Sequence, residues 1–273
     1  MESFAPVHGL YLYCLTRASY LEAPDGPGLY DQQPPLLTRV GDLAAIWSPV
    51  VLAEFCGEDA EARLQDLDWV GPRACRHEAV VEGVMRRSPV LPVRFGTIFS
   101  SWDRLEQVMQ EHHDAILQFL DQVADKPEWA VKGLLDQTRA KQVIFSRKQT
   151  EAAERLTSLS PGHRYFQEQR LRREAEQELA HWAPGVCRRL LLELGSLAVK
   201  DSERQVLPVT GENRDQEMVC NWAFLVPQTA VADFKARVDA ANSGLDRQGL
   251  VFLCTGPWPP YTFSPALTTE APR

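Results

Sequence analysis

Apolar positions along this chain change period several times, and the changes mark out its elements. His8 to Leu15 (HGLYLYCL) is aromatic or aliphatic on both alternating faces, which predicts a central strand. Thr16 to Pro35 is rich in proline and glycine and reads as a long loop. Leu36–Val40 and Leu43–Trp47 flank Gly41-Asp42 and predict a hairpin. Glu58 to Arg87 has helical periodicity and an acidic first turn (Glu58, Asp59, Glu61). Gly71-Pro72 predicts two helices there, or one kink. Val90 to Phe99 reads as a strand whose internal proline suggests an edge or entry segment. Ser100, with Asp103 three residues on, has the form of a capping box. It opens an amphipathic helix of about six turns through Leu105, Val108, Met109, His112, Ile116, Phe119, Leu120 and Val123. Lys126-Pro127 ends it.

A second series begins with the strand Trp129–Leu135. Arg139 to Leu159 is a charged helix. Arg164 to Leu194 is a longer one whose apolar stripe is Leu171, Ala175, Leu179, Trp182, Val186, Leu190 and Leu194, with Pro184 expected to kink or divide it. These two helices are expected to form a hairpin. Leu197–Glu203 is a candidate strand, Pro208–Gln216 a polar turn, and Met218–Val226 a clear strand. Thr229 is the expected cap of a helix carrying Val231, Phe234 and Val238, closed by Asn242-Ser243-Gly244. Leu250–Cys254 then reads as a strand buried on both faces and stopped by Gly256-Pro257. Prolines 257, 259 and 260 predict an extended, polyproline-like arm bearing Trp258, Tyr261 and Phe263. Those rings are expected to pack on the protein itself, with partner docking as the other reading. The second series has the order βαββαβ, the ferredoxin-like split arrangement. The fold class expected is therefore α+β. Domains are expected at 1–126 and 127–255, the second ferredoxin-like with a helical-hairpin insertion, and a Pro/aromatic C-terminal arm at 256–273.

Composition narrows the function. The 273 residues are 44% hydrophobic and 24% charged, enough for sizeable cores. A formal net charge of −8 argues against non-specific nucleic-acid binding and against docking on anionic lipid. The opening Met1-Glu2-Ser3-Phe4-Ala5-Pro6 lacks the basic-then-apolar arrangement of a signal peptide, and no apolar run approaches the roughly 18 residues of a membrane span, so a cytoplasmic protein is expected. Six cysteines without a Cys-x-x-Cys pair read as reduced thiols.

Candidate chemistry is sparse. Cys75-x-His77 lies on a predicted helix, where residues two apart diverge and close no metal site alone. His112-His113 diverge likewise, and His112 on the apolar stripe reads as a satisfied core histidine. Gly211-Glu212-Asn213-Arg214-Asp215 reads as a plain turn, or else as a catalytic loop. Phosphate-loop, nucleophile-elbow and zincin signatures are absent from the sequence. No catalytic, cofactor-binding or metal residue is assigned, and a non-enzyme is expected.

Several strings resemble one family. Leu10-Tyr11-Leu12-Tyr13 is similar to the opening strand of the gas vesicle protein F/L family. Val90-Leu91-Pro92-Val93-Arg94-Phe95-Gly96-Thr97-Ile98-Phe99 resembles its mid-chain segment, and Glu128-Trp129-Ala130-Val131-Lys132 its next strand. Asn221-Trp222-Ala223-Phe224-Leu225-Val226 and Gly256-Pro257-Trp258-Pro259-Pro260-Tyr261-Thr262-Phe263 resemble its closing elements. The strings occur in family order over nearly the whole chain. The proline-rich loop after the first strand and the charged helical middle depart from it. The resemblance implies two α+β domains with a C-terminal arm. It also implies a non-enzymatic accessory or minor structural protein, associated with the gas vesicle. Its implied partners are the small hydrophobic shell protein and other accessory proteins. Candidate docking modes on physical grounds are sheet-edge addition and helix-in-groove contact. The Arg/Glu-rich helices from Arg139 to Arg189 are an alternative candidate contact, with other accessory proteins. The rival reading is a haem-binding or other small-ligand enzyme of paired ferredoxin-like fold, with His8, His77 or His112 as iron ligand.

Overall fold

The computed structural model describes residues 8–19, 24–56, 60–208 and 216–267. The chain divides into two compact units. One comprises the chain up to Glu128 together with the segment from Trp258 onward, and the other is Trp129–Pro257. Each contains one antiparallel sheet with helices, so the α+β class holds.

The first unit is organised on β1 (His8–Arg17). Tyr11 to Leu15 are fully buried, as an unbroken apolar strand requires. The strand order is β2-β3-β1-β4, with β5 also pairing β1. β2 (Leu36–Val40) and β3 (Leu43–Val51) form the expected hairpin, with Val40 opposite Leu43. Gly41 takes φ 58 in its turn, a conformation that suits glycine. The strand expected over 90–99 is instead two short ones, β4 (Val90–Pro92) and β5 (Ile98–Phe99). Gly96, at φ 85, turns the chain between them, and the Thr97 amide donates to Arg94 O.

Five helices follow the same logic, with shifted breaks. They are α1 (Leu52–Phe55), α2 (Ala60–Gln65), α3 (Leu67–Met85), α4 (Trp102–Glu111) and α5 (His113–Val123). Glu58 and Asp59 lie outside the described residues, while Glu61 sits in the first turn of α2. The interruption expected at Gly71-Pro72 falls at Asp66, whose carboxylate accepts from the Asp68 amide and starts a new helix. Pro72 stays inside α3 and forgoes one backbone hydrogen bond. Ser101, not Ser100, caps α4 by accepting from the Arg104 amide. The six-turn helix breaks at His112 (φ −106, ψ 11), where two adjacent imidazoles give weak helix propensity.

The second unit runs β6 (Glu128–Leu135), α6 (Gln137–Glu151), α7 (Ala153–Thr157), α8 (Pro161–Gly195), β7 (Lys200–Glu203), β8 (Glu217–Leu225), α9 (Val231–Leu245) and β9 (Leu250–Trp258). Its strand order is β7-β8-β6-β9. α6 begins at Asp136, which accepts from the Arg139 amide. α8 is one helix of 35 residues, about 52 Å long, and Pro184 does not divide it. Ala183 and Cys187 on either side of that proline are buried in the core, which holds the helix together across the missing hydrogen bond. The buried stripe is Leu171, Ala175, Leu179, Ala183, Cys187, Leu190 and Leu194, while Trp182 and Val186 flank it. A step of four continued from Leu179 reaches 183 and 187, which is why those two positions are innermost.

Thr229 lies in a 3-10 turn (Gln228–Ala230), and α9 starts without a side-chain cap. Asn242-Ser243-Gly244 stay helical. The chain turns instead at Gly249 (φ 85), after a 3-10 turn over Asp246–Gln248. Asn242 is used differently: its Oδ1 accepts from the Phe252 amide and its Nδ2 donates to Phe252 O. The carboxamide thereby imitates a neighbouring strand on β9.

β9 continues through Gly256-Pro257 to Trp258, contrary to the expected stop. It is the edge strand of its sheet, where a proline without an N–H is tolerated. It is also not buried on both faces, since Leu250 and Phe252 are buried while Leu253 is exposed. The arm is not extended either. Pro259 and Pro260 are buried, and Tyr261–Phe263 form a 3-10 turn. Cys14, Cys187 and Cys220 are buried as small hydrophobes, whereas Cys56 and Cys75 are exposed.

Candidate functional site

Where polar chemistry concentrates in the first unit, it surrounds His77. The ring sits on the inner face of α3, 2% exposed. Tyr11 Oη lies 2.8 Å from Nδ1, and Nε2 lies 3.1 Å from both Val93 O and Tyr261 Oη. A carbonyl only accepts, so Nε2 carries the proton and Nδ1 accepts from Tyr11. Tyr11 in turn accepts from the Gly96 amide, and Tyr261 donates to Glu78 Oε2 at 3.0 Å. Burial pulls the imidazole down to about 4, against the opposing pull of the Val93 carbonyl. Burial likewise raises the Tyr11 and Tyr261 phenols and the Glu78 carboxyl.

Next to this network, the buried Glu128 carboxylate accepts from the Thr262 amide (3.0 Å) and hydroxyl (2.7 Å). The self-packing expected of the arm rings is met at two of the three: Phe263 is buried and Tyr261 half-buried, while Trp258 is 38% exposed. A groove of about 410 Å³ lies alongside, lined by Leu12, Val93, Phe99, Tyr261 and Pro265, with Arg94 at its rim. The arrangement is a fastening. It satisfies both ring nitrogens of His77 and ties the arm to β1 and α3.

The remaining sequence candidates scatter. Cys75 is exposed while His77 is buried, so the pair does not converge. His8 is exposed at the head of β1, and His112 is half-buried at the α4–α5 junction. Both His77 nitrogens are already engaged by protein groups. Among the described residues, no three His, Cys, Asp or Glu side chains are grouped to hold a metal ion. Gly211–Asp215 lies outside the described residues.

Sequence reasoning placed the arm but not its anchor points. His77 was noted only as a candidate ligand and Glu128 only within a family string, Glu78 carried no motif, and only the odd position of a glutamate at the head of an apolar strand signalled that it needed a partner.

The second unit offers surfaces. β7 is an edge strand, and the exposed apolar side chains Val199, Val206 and Leu207 flank it, with Leu192 also exposed (70%) near the end of α8. Among the described residues no strand pairs its outer side. No helix among the described residues is long and apolar enough to cross a membrane.

Comparison with known proteins agrees with this architecture. The chain is 29% identical over 259 residues to gas vesicle protein L of Streptomyces sp. (strain CB03234), covering 93% of this chain and 92% of that protein. It is 26% identical over 246 residues to gas vesicle protein F of Dolichospermum flosaquae, covering 85% and 88%. The fold matches the crystal structure of the gas vesicle protein GvpF from Anabaena sp. PCC7120 with a TM-score of 0.69 at 20% identity, over 97% of this chain and 100% of that one. Residues 9–265 match the family described as gas vesicle synthesis protein GvpL/GvpF. With that match running from β1 through the second unit into the arm, the chain belongs to the gas vesicle GvpL/GvpF family.

Proposed function

We propose that this protein is a gas vesicle accessory protein that binds the hydrophobic shell protein during assembly and holds it in solution until it joins a growing edge. Family membership supports the gas vesicle role. The shell-binding step rests on one observation, the exposed apolar residues Val199, Val206 and Leu207 flanking β7 at the open edge of its sheet. An open sheet edge supplies main-chain hydrogen bonds to an added strand, and the flanking side chains supply apolar cover. Covering roughly 100 Å² of apolar surface at each such side chain contributes about 2.5 kcal/mol before the cost of association. A net charge of −8 keeps the carrier soluble while it covers an aggregation-prone client. Other accessory proteins are further partners in this reading, nucleic acid and membrane are not, and the site of action is the cytoplasm at the vesicle. The role is non-enzymatic, since the polar cluster of the first unit is consumed in fastening the arm.

Light scattering of purified shell protein tests it. Added wild-type protein should slow aggregation and co-purify with the shell protein, and the double variant Val199→Ser with Leu207→Ser should lose both effects while folding normally, because both positions are exposed. Wild-type protein that neither slows aggregation nor co-purifies removes the reading.

A further inference from the structure

Charge in this acidic chain is unevenly placed. Residues 137–173 span α6, α7 and the first turns of α8. They hold nine Lys or Arg against three Glu, a formal +6. The whole chain is −8, so the other 236 residues carry 34 acids against 20 bases, a formal −14. Within the basic segment, Arg147 and Lys148 pair with Glu178, Arg170 pairs with Glu174, and the Arg172 guanidinium lies over the Phe145 ring. Lys141, Arg155 and Arg173 have no carboxylate partner among the described residues. The start of α8 also presents Tyr165 (59% exposed) and Phe166 (72% exposed), edge to face with centroids 5.8 Å apart. Two large rings in water beside unpaired cations are a docking surface in search of aromatic and anionic cover.

The complementary chemistry is present on the same polypeptide. Residues 102–126, comprising α4 and α5, hold six acids against Arg104 and Lys126, a formal −4. Asp103, Glu111, Asp114, Asp121 and Asp125 are exposed, and Asp103 and Asp125 have no cationic partner among the described residues. At the head of α4, half-exposed Trp102 lies 6.2 Å from the half-exposed Trp47 ring, centroid to centroid. An indole pair beside the unpaired carboxylate of Asp103 is what a guanidinium and an exposed phenyl ring would seek.

We propose that the basic α6–α7–α8 segment of one molecule docks on the acidic α4–α5 face of a second copy. Such a contact joins two different patches, so it is heterologous, and repetition builds a ring or an open chain of subunits. Attraction between exposed opposite charges is screened by salt, so association should strengthen at low ionic strength. This goes beyond shell binding and uses a different surface.

Sedimentation of nuclease-treated full-length protein tests it. At about 20 mM salt the wild type should show a mass that rises with concentration, and at about 500 mM salt it should return toward the monomer. Arg155→Glu with Arg173→Glu should weaken association at least about tenfold, as should Asp103→Lys with Asp125→Lys. An equimolar mixture of the two charge-reversed proteins should associate again. Tyr165→Ser with Phe166→Ser should weaken association without changing net charge. All three pairs of positions are on the surface, and circular dichroism checks that each variant is folded. Suppression of shell-protein aggregation should be unchanged in the charge-reversed proteins, so this proposal and shell binding fail separately. A wild type that stays monomeric at low salt, variants that associate like the wild type, or a mixture that stays dissociated would each overturn the proposal. So would a monomer captured by vesicles of phosphatidylcholine and phosphatidylserine, which would assign the basic segment to anionic lipid.

Discussion

Acidification should weaken the first unit through one side chain, His77. The imidazole is 2% exposed and held neutral, with its pKa down from 6.5 to about 4. Above pH 6.5 the group is neutral in both folded and unfolded chains, so its stabilising network is fully present. Below 6.5 the unfolded chain gains a proton that the folded chain does not, and stability falls by about 1.4 kcal/mol per pH unit until the folded value near 4 is passed. At pH 5 the loss attributable to His77 is about 2 kcal/mol relative to pH 7. The titratable groups facing the ring are Tyr11, Tyr13, Tyr261 and, through Tyr261, Glu78. The phenols are raised and stay neutral throughout this window. Glu78 is raised by burial, so its effect has the opposite sign and relieves strain on acidification. It must therefore be cancelled by difference. His77→Gln keeps a donor and an acceptor without titrating. Urea midpoints read from amide exchange of β1 peptides, at pH 7 and pH 5, give the four stabilities needed. The wild type should lose about 2 kcal/mol more than His77→Gln between the two pH values. Equal losses in the two proteins would refute the assignment of a buried neutral imidazole.

Two further substitutions probe local devices. Thr262→Val keeps the shape but removes the hydroxyl that donates to Glu128 at 2.7 Å, a charge-assisted bond worth about 2 kcal/mol. For a unit of about 140 residues that is a drop of about 7 °C in the melting temperature of the first unit, measured by calorimetry. Gly249→Ala places a Cβ 3.0 Å from Asp136 O at φ 85, so a loss of about 2 kcal/mol is expected in the second unit, read from its urea midpoint.

Patterns that recur within one element were legible in the sequence, and those settled by distant partners were not. β1, the β2–β3 hairpin, β6 and β8 are local periodicities that formed where their patterns lay, and the apolar stripe of α8 held except in its middle, where Ala183 and Cys187 replace Trp182 and Val186 as the innermost positions. Element boundaries went to competing groups. Asp66 outbid Pro72 because a capping carboxylate starts a helix more firmly than one missing amide stops it. Ser101 displaced Ser100 by a single position. β9 ran past its proline because only the sheet topology shows that it is an edge. The network around His77 joins residues separated by 66 and 184 positions in the chain, and no local pattern encodes that. Self-packing of Tyr261 and Phe263 was legible because large rings need cover, while Trp258, on the edge strand β9, stays exposed.

That long separation bears on how the first unit is completed. Its central strand, β1, is among the earliest described residues, yet Tyr261 and Thr262, which satisfy Glu78 and Glu128, come after the whole of the second unit. A buried carboxylate without its donors costs more than the net worth of the bonds it later makes. Glu128 therefore lacks those donors until the arm arrives, and during synthesis the second unit is made in between. Contacts of such large sequence separation form late, after their loop-closure entropy has been met by other structure. The C-terminal arm is thus the closing contact of the first unit, and a proline-rich, aromatic segment suits that task. Prolines reduce the entropy lost when the segment docks, and the rings supply apolar area on few rotatable bonds. The same reasoning accounts for the sparseness of reactive chemistry. The ionisable groups described around His77 are committed to holding the arm, while the edge of β7 and the charged helices stay exposed.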